Sequence, residues 1–310
     1  MTGPLVALTG ATGFIGRHLL RELPKRGYRV RVLLRRPAEL PPEATGAVVG
    51  DIARPQNMGA ALSGVDAVIH SAGIAHAMSG TPEDDYRVLN TEATIGLARA
   101  AEKARAKRFV FLSSIRAQTG PQAAGIVTEA DEAAPTDAYG RSKLAAEEGL
   151  AALGVDWVAL RPVLVYGPGV KGNMAALVRL ARSPYPLPLG GLAAKRSLLA
   201  LDNLAAAIDT VLAAPGPLRR PLIVADPEPL TVPAMIAALR EGLGRGPGLF
   251  PVPQWLMEAA FRALGRAEAF ERLAGSLVAS PAALQALGWA PPVQTRAGLA
   301  ALARSPDSGA

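Results

Sequence analysis

Leu5-Val6-Ala7-Leu8-Thr9-Gly10-Ala11-Thr12-Gly13-Phe14-Ile15-Gly16 is a short apolar run that breaks into three glycines spaced three residues apart and then opens a helical pattern. A buried strand entering a glycine turn at a helix N-terminus is the setting that a phosphate-binding turn requires. Gly10 permits the tight turn, Gly13 lets the backbone approach a pyrophosphate, and Gly16 lets helix and strand pack closely. Free N–H groups of the first helical turn would face the anion.

Working outward, similar apolar runs recur at Arg29–Leu34, 47–49, Ala67–His70, Arg108–Leu112 and 157–160, with helical patterns between them at 17–26, 91–106 and 141–153. This alternation predicts an α/β fold, a Rossmann-type doubly wound parallel sheet. After Arg161 the chain turns to Pro- and Gly-rich punctuation and short helices. We therefore expect a dinucleotide-binding domain over 1–165, a smaller irregular substrate-binding region over 166–303 and a frayed tail over 304–310.

The 310 residues are 50% hydrophobic and 19% charged, which supports an ordered core. With no cysteine and three histidines (His18, His70, His76), there is no disulfide framework and a zinc centre is disfavoured; no metal is expected. The net charge of +7 comes from Lys and Arg interspersed with Asp and Glu, so no nucleic acid is expected as partner. Asp202 and Asp209 interrupt the most apolar stretch, short of the ~18 apolar residues of a spanning helix. No membrane insertion is expected, and without a basic leader at the start the chain is expected to be cytoplasmic. The tryptophans and methionines read as packing residues, His70 as a strand end and His76 as a loop residue within reach of substrate.

Tyr139-Gly140-Arg141-Ser142-Lys143 sets a phenol and an ammonium one helical turn apart, with Thr136 and Asp137 as candidate N-caps. An ammonium beside a phenol lowers the phenol's pKa, which makes Tyr139 a general acid/base with Lys143 as its partner. Ser113 and Ser114 end a strand at the carboxyl edge, where open α/β sheets place ligands, and either hydroxyl could bond a substrate carbonyl. The second strand ends Leu33-Leu34-Arg35-Arg36 without a carboxylate. Guanidinium groups there suit a 2′-phosphate, so NADP(H) is expected over NAD(H), with NAD(H) possible. The alternative is that Arg35 and Arg36 are simply solvated charges.

On these motifs the chain resembles the short-chain dehydrogenase/reductase superfamily, the glycine spacing being Gly-x-x-Gly-x-x-Gly. The resemblance implies cofactor contacts from the turn residues Gly10, Thr12, Gly13, Phe14, Ile15 and Gly16. It likewise implies Asp51 and Ile52 at the adenine, Ser71, Ala72 and Gly73 under the ribose, and Asn90 on a following helix. It selects Ser114 as the catalytic hydroxyl, with Ser113 in reserve, and has Lys143 hold the nicotinamide ribose beside Tyr139. Arg161-Pro162-Val163-Leu164-Val165-Tyr166-Gly167-Pro168, Arg196 through Asp202 and Leu287-Gly288-Trp289-Ala290-Pro291 resemble the extended, epimerase/dehydratase branch that handles nucleotide sugars. There Pro162 would meet the nicotinamide, and Asn173 and Arg196 the substrate diphosphate and nucleoside. The helices at 91–106 and 141–153 resemble those through which the family forms homodimers.

Departures matter too. Ile115-Arg116 replaces the Asp-Glu pair of the 4,6-dehydratases, and Leu164 stands where UDP-hexose 4-epimerases carry an Asn. The stretches 165–174, 186–190 and 196–198 are most similar to UDP-4-keto-6-deoxy-sugar reductases, which makes such a reductase the leading expectation. The alternatives are a UDP-hexose 4-epimerase with recycled NAD and, remotely, a non-catalytic dinucleotide-binding scaffold.

Overall fold

The computed structural model describes residues 3–74 and 81–305, so His76 and residues 306–310 lie outside the described part. Seven strands make one parallel sheet: β1 (Leu5–Thr9), β2 (Arg29–Leu34), β3 (Ala44–Val48), β4 (Ala67–His70), β5 (Arg108–Leu112), β6 (Trp157–Pro162) and β7 (Arg220–Val224). Their spatial order is β7-β6-β5-β4-β1-β2-β3. The order reverses between β1 and β4, which opens a crevice at their carboxyl ends.

Period-two alternation divides the strands between two cores. Val6 and Leu8 of β1, with Val30, Val32, Ile69, Val110 and Leu160, face α1 (Phe14–Lys25). Leu5 and Ala7, with Val68, Phe109, Phe111 and Trp157, face α2 (Ala93–Lys103) and α3 (Ala138–Ala151). A third core joins α4 (Gly172–Arg182), α6 (Val232–Gly242), α7 (Gln254–Ala263) and α8 (Thr295–Arg304).

Between α4 and α6 in the chain lies α5 (Leu201–Ala213), whose Leu204, Ile208 and Val211 pack beside α1 on the large sheet. A single cut at residue 165 therefore does not describe the molecule, because β7 and α5 return from the second region to complete the sheet. Leu222, Ile223 and Val224 are fully buried there, which supplies the hydrophobic reason. Arg304 and Ser305 also belong to the folded body: Arg304 ends α8, and Arg182 donates to the carbonyls of Ala303 and Ser305.

Gly16 sits where helix and glycine turn pack backbone against backbone. A Cβ there would lie 2.0 Å from the Gly10 carbonyl oxygen and 2.7 Å from the Ala11 Cα. Gly16→Ala should lower unfolding stability by about 1–3 kcal/mol in urea denaturation, whereas Gly59→Ala, with nothing within 4 Å, should leave it unchanged or raise it slightly.

Candidate active site

The glycine turn lines a cavity of about 510 Å³ at the switch point. Gly10 takes φ +70°, and its missing Cβ admits the backbone of Ser71 and Ala72 at 2.7 Å. Gly13 caps α1 with no side-chain hydrogen bond, leaving the N–H groups of the first turn to an anion. Gly10, Thr12, Arg35, Arg36, Asp51, Ile52, Ala72 and Gly73 all line the cavity. Arg35 and Arg36 are exposed at the end of β2, and Asp51 bonds its own turn through the Ala53 N–H at 3.0 Å. An anion-binding turn and a cationic rim fit a dinucleotide. Phe14, Ile15 and Gly16 continue the turn into α1, and Ser71 follows β4.

Behind the crevice runs a buried relay. Thr9 Oγ1 accepts from the N–H groups of Ser71 and Ala72, both at 3.2 Å, so its hydrogen points to His70 Nδ1 at 2.7 Å. Thr94 spends its hydrogen on the Asn90 carbonyl at 2.6 Å and therefore accepts from His70 Nε2–H at 3.0 Å. The partners thus assign the imidazole its Nε2–H tautomer. Burial, and then the nearby Lys143 charge, pull His70 down to about 3, so it stays neutral. Asn90, in a π-helical turn at Arg87–Glu92, holds both backbone groups of Ile74 at 2.8 and 3.1 Å and donates to Ser142 Oγ at 3.1 Å. Its amide is engaged on both ends by protein, so it braces the 71–74 loop against α3.

Asp137 caps α3 by accepting from Gly140 N–H at 2.7 Å; Thr136 does not. One stripe of this helix then meets three consecutive residues beyond and at the end of β5. Tyr139 is hydrogen-bonded to Ser114, Lys143 Nζ donates to the Leu112 carbonyl at 2.9 Å, and Glu147 accepts from the Ser113 hydroxyl. Ser113 is thereby committed to Glu147, which leaves Ser114 as the hydroxyl beside Tyr139. Ser114 also caps its own turn through Arg116 N–H at 3.1 Å. Arg161 of β6 closes the cluster with 3.1 and 2.5 Å bonds to Glu147 and a bond to Gln118. Glu147, Arg161 and Gln118 escaped the motif reading, although Glu147 continues the 139, 143 spacing by one more turn.

The electrostatics differ from expectation at the phenol. Burial pushes Tyr139 up, outweighing the lowering effects of the Ser114 hydrogen bond and the Arg116 charge. Lys143 does not lower it: the ammonium is bonded to Leu112, 4.5 Å over the Phe111 ring and 6.0 Å from the Tyr139 ring centre. Burial brings Lys143 itself down to about 8, opposed by the charge of Glu147. Pro162 is buried as the last residue of β6. Asn173 is exposed at the start of α4, and Arg196 is half-buried in a two-residue strand paired with Leu230–Thr231. Neither lines the cavity at the glycine turn.

The NAD dependent epimerase/dehydratase family model matches residues 6–224. A UDP-glucose 4-epimerase of Vibrio cholerae is 36% identical over 299 residues, 93% of this chain and 90% of the relative. A ceramide reductase of Caulobacter vibrioides is 31% identical over 205 residues, 65% of this chain and 59% of its own. MoeE5, solved in complex with UDP-glucuronic acid and NAD, superposes with a TM-score of 0.72 at 27% identity, covering 95% of this chain and 96% of that one.

The relay makes a pH prediction. An imidazole near 3 in the folded protein and ~6.5 unfolded takes up its proton only on unfolding, so stability is full above pH ~6.5 and declines as pH falls toward 3, by about 1.4 kcal/mol per pH unit. In His70→Asn that one-proton slope should vanish from chemical-denaturation curves recorded between pH 4 and 6.5.

Proposed function

The chain belongs to the NAD dependent epimerase/dehydratase family and is an enzyme of the extended short-chain dehydrogenase/reductase type, and from that premise we propose that it inverts C4 of a UDP-hexose. The observation that carries this reading is the Ser114–Tyr139 hydrogen bond with Lys143 one turn away, beside a dinucleotide crevice. Similarity to a UDP-glucose 4-epimerase over 93% of the chain favours epimerisation over the 4-keto-sugar reductase expected from the local motifs.

A bound nicotinamide dinucleotide supplies reversible hydride acceptance. Tyr139 moves the proton of the C4 hydroxyl, taking it as the sugar is oxidised and returning it after the sugar has presented its other face. Ser114 donates a hydrogen bond to the same oxygen as its charge changes. Lys143, anchored on Leu112, holds the nicotinamide ribose. The glycine turn holds the pyrophosphate, while Asp51 and Ile52 border the adenine and the 71–74 loop the ribose. Pro162 meets the nicotinamide, and Asn173 and Arg196 serve the diphosphate and nucleoside of the substrate. A homodimer through α2 and α3 and a cytoplasmic location complete the proposal.

One observation favours a second reading. Arg35 and Arg36 line the cavity at the end of β2, where an acidic residue would bond a 2′-hydroxyl. They support a preference for NADP(H), and net reduction of a 4-keto-6-deoxy sugar consumes that cofactor stoichiometrically, whereas an epimerase recycles its hydride.

With UDP-glucose or UDP-N-acetylglucosamine, the C4 epimer should form without net change in nicotinamide absorbance; stoichiometric NADPH loss on a UDP-4-keto-6-deoxy sugar would instead establish the reductase. Tyr139→Phe should cut kcat by about 10²–10⁴-fold with dinucleotide affinity nearly unchanged by titration. Replacing Arg35 and Arg36 by Ala should weaken NADPH roughly tenfold or more and NADH little. Equal losses for the two cofactors would refute the 2′-phosphate assignment.

A further inference from the structure

We propose that Arg116 is a positioning residue for proton transfer at Tyr139: its guanidinium compensates the carboxylate that caps α3 two residues before the phenol. The inference rests on the reading of Tyr139 as the group that moves the proton. Helix α3 needs its cap, because Asp137 accepts from the Gly140 N–H at 2.7 Å and so satisfies a donor that the first helical turn leaves free. The same carboxylate sets a negative charge beside a phenol that must be ionised to take the proton of the C4 hydroxyl, and a like charge opposes that ionisation. A cation on Asp137 reconciles the two demands.

Arg116 is held where that cation is needed. It lies in the single turn Ile115–Ala117 that follows β5. Its N–H donates to Ser114 Oγ at 3.1 Å, on the hydroxyl that is bonded to Tyr139. Its carbonyl lies against α3 at Gly140, where a Cβ would collide with the oxygen, so the glycine lets the turn approach the start of the helix. The guanidinium then donates through Nη2 to Asp137 Oδ2, with Thr136 Oγ1 at 3.5 Å. The pair is largely enclosed, with side chains 13% and 24% exposed. Nε and Nη1 of Arg116 are buried without a hydrogen-bond partner. Burying two donors unmet costs stability, so this placement is a poor one for a merely structural arginine.

Among the described residues the other groups around the phenol do not do this work. Lys143 Nζ is bonded to the Leu112 carbonyl and lies 6.0 Å from the ring centre. Tyr86 meets the ring edge-on at 6.2 Å. Glu83, Asp84 and Asp85, on the same helical turn as Tyr86, are exposed, and Glu83 pairs with Arg141 at 2.7 Å. After burial, which raises Tyr139 most, the Ser114 hydrogen bond lowers it, Asp137 raises it, Arg116 lowers it and Tyr86 raises it. Arg116 is thus the one cation that favours the phenolate, and it stands on the anion that opposes it.

The test is the ionisation of Tyr139 in the full chain with NAD bound, read as the tyrosinate absorbance step that Tyr139→Phe removes. Arg116→Met should move the step up by about one pH unit. Asp137→Asn, whose amide oxygen keeps the bond to Gly140 without the charge, should move it down. The double variant should bring it back toward the parent, and Arg116→Lys should leave it close to the parent. The acid limb of kcat/KM for UDP-glucose should follow the same displacements. A step that stays in place in Arg116→Met, or that both single variants move in one direction, overturns the proposal and leaves Arg116 a structural role. Should Arg116→Met not fold, Arg116→Gln and the direction of the Asp137→Asn displacement decide in its place. Steps that move as stated without turnover of any UDP-hexose support the role of Arg116 and overturn the assigned reaction instead.

Discussion

The buried pair of Glu147 and Arg161, with side chains 4% and 5% exposed, is the constraint from which the candidate active-site edge takes its shape. Two charges so far from water are tolerable only when paired and hydrogen-bonded, and removing one partner typically costs about 3–5 kcal/mol. The requirement fixes α3 against β6, and through the Ser113 hydroxyl it fixes the end of β5 against α3. Once Glu147 is seated, Lys143 and Tyr139 fall at the preceding turns of the same stripe, opposite Leu112 and Ser114. A single ion pair thus sets the separation between the groups proposed to move the proton.

The nucleotide edge obeys a constraint of space rather than charge. Gly10 and Gly16 leave room for backbone where any side chain would collide, and the helix N-terminus consequently reaches the crevice with its N–H groups uncommitted. Asn90 and His70 connect that arrangement to α3. One end of the relay orders the 71–74 loop and the other holds Ser142, one residue before Lys143. Because His70 is neutral with its tautomer fixed by its partners, the relay adds no charge beside Lys143.

Much of this was legible in the chain. Apolar runs at regular intervals specified the first six strands, with β6 two residues longer than read and β3 shifted to Ala44–Val48, because a short apolar run marks a strand better than its ends. The glycine spacing located the crevice, and the Tyr139–Lys143 interval placed both residues on one face of α3. Less was legible where partners lie far apart in sequence. Nothing local marks 220–224 as the seventh strand of a sheet begun at residue 5, or joins Arg161 to Gln118.

By itself the sequence determined the doubly wound sheet and the position of the glycine turn, since both rest on short-range periodicity and spacing that the backbone converts directly into geometry, and its motifs carried the resemblance to the family. Tertiary structure alone decided which of two adjacent serines stands beside Tyr139, what Lys143 touches, and that burial raises rather than lowers the Tyr139 phenol. Those are questions of desolvation and of which distant groups meet, and they acquire an answer only when the chain has closed around them.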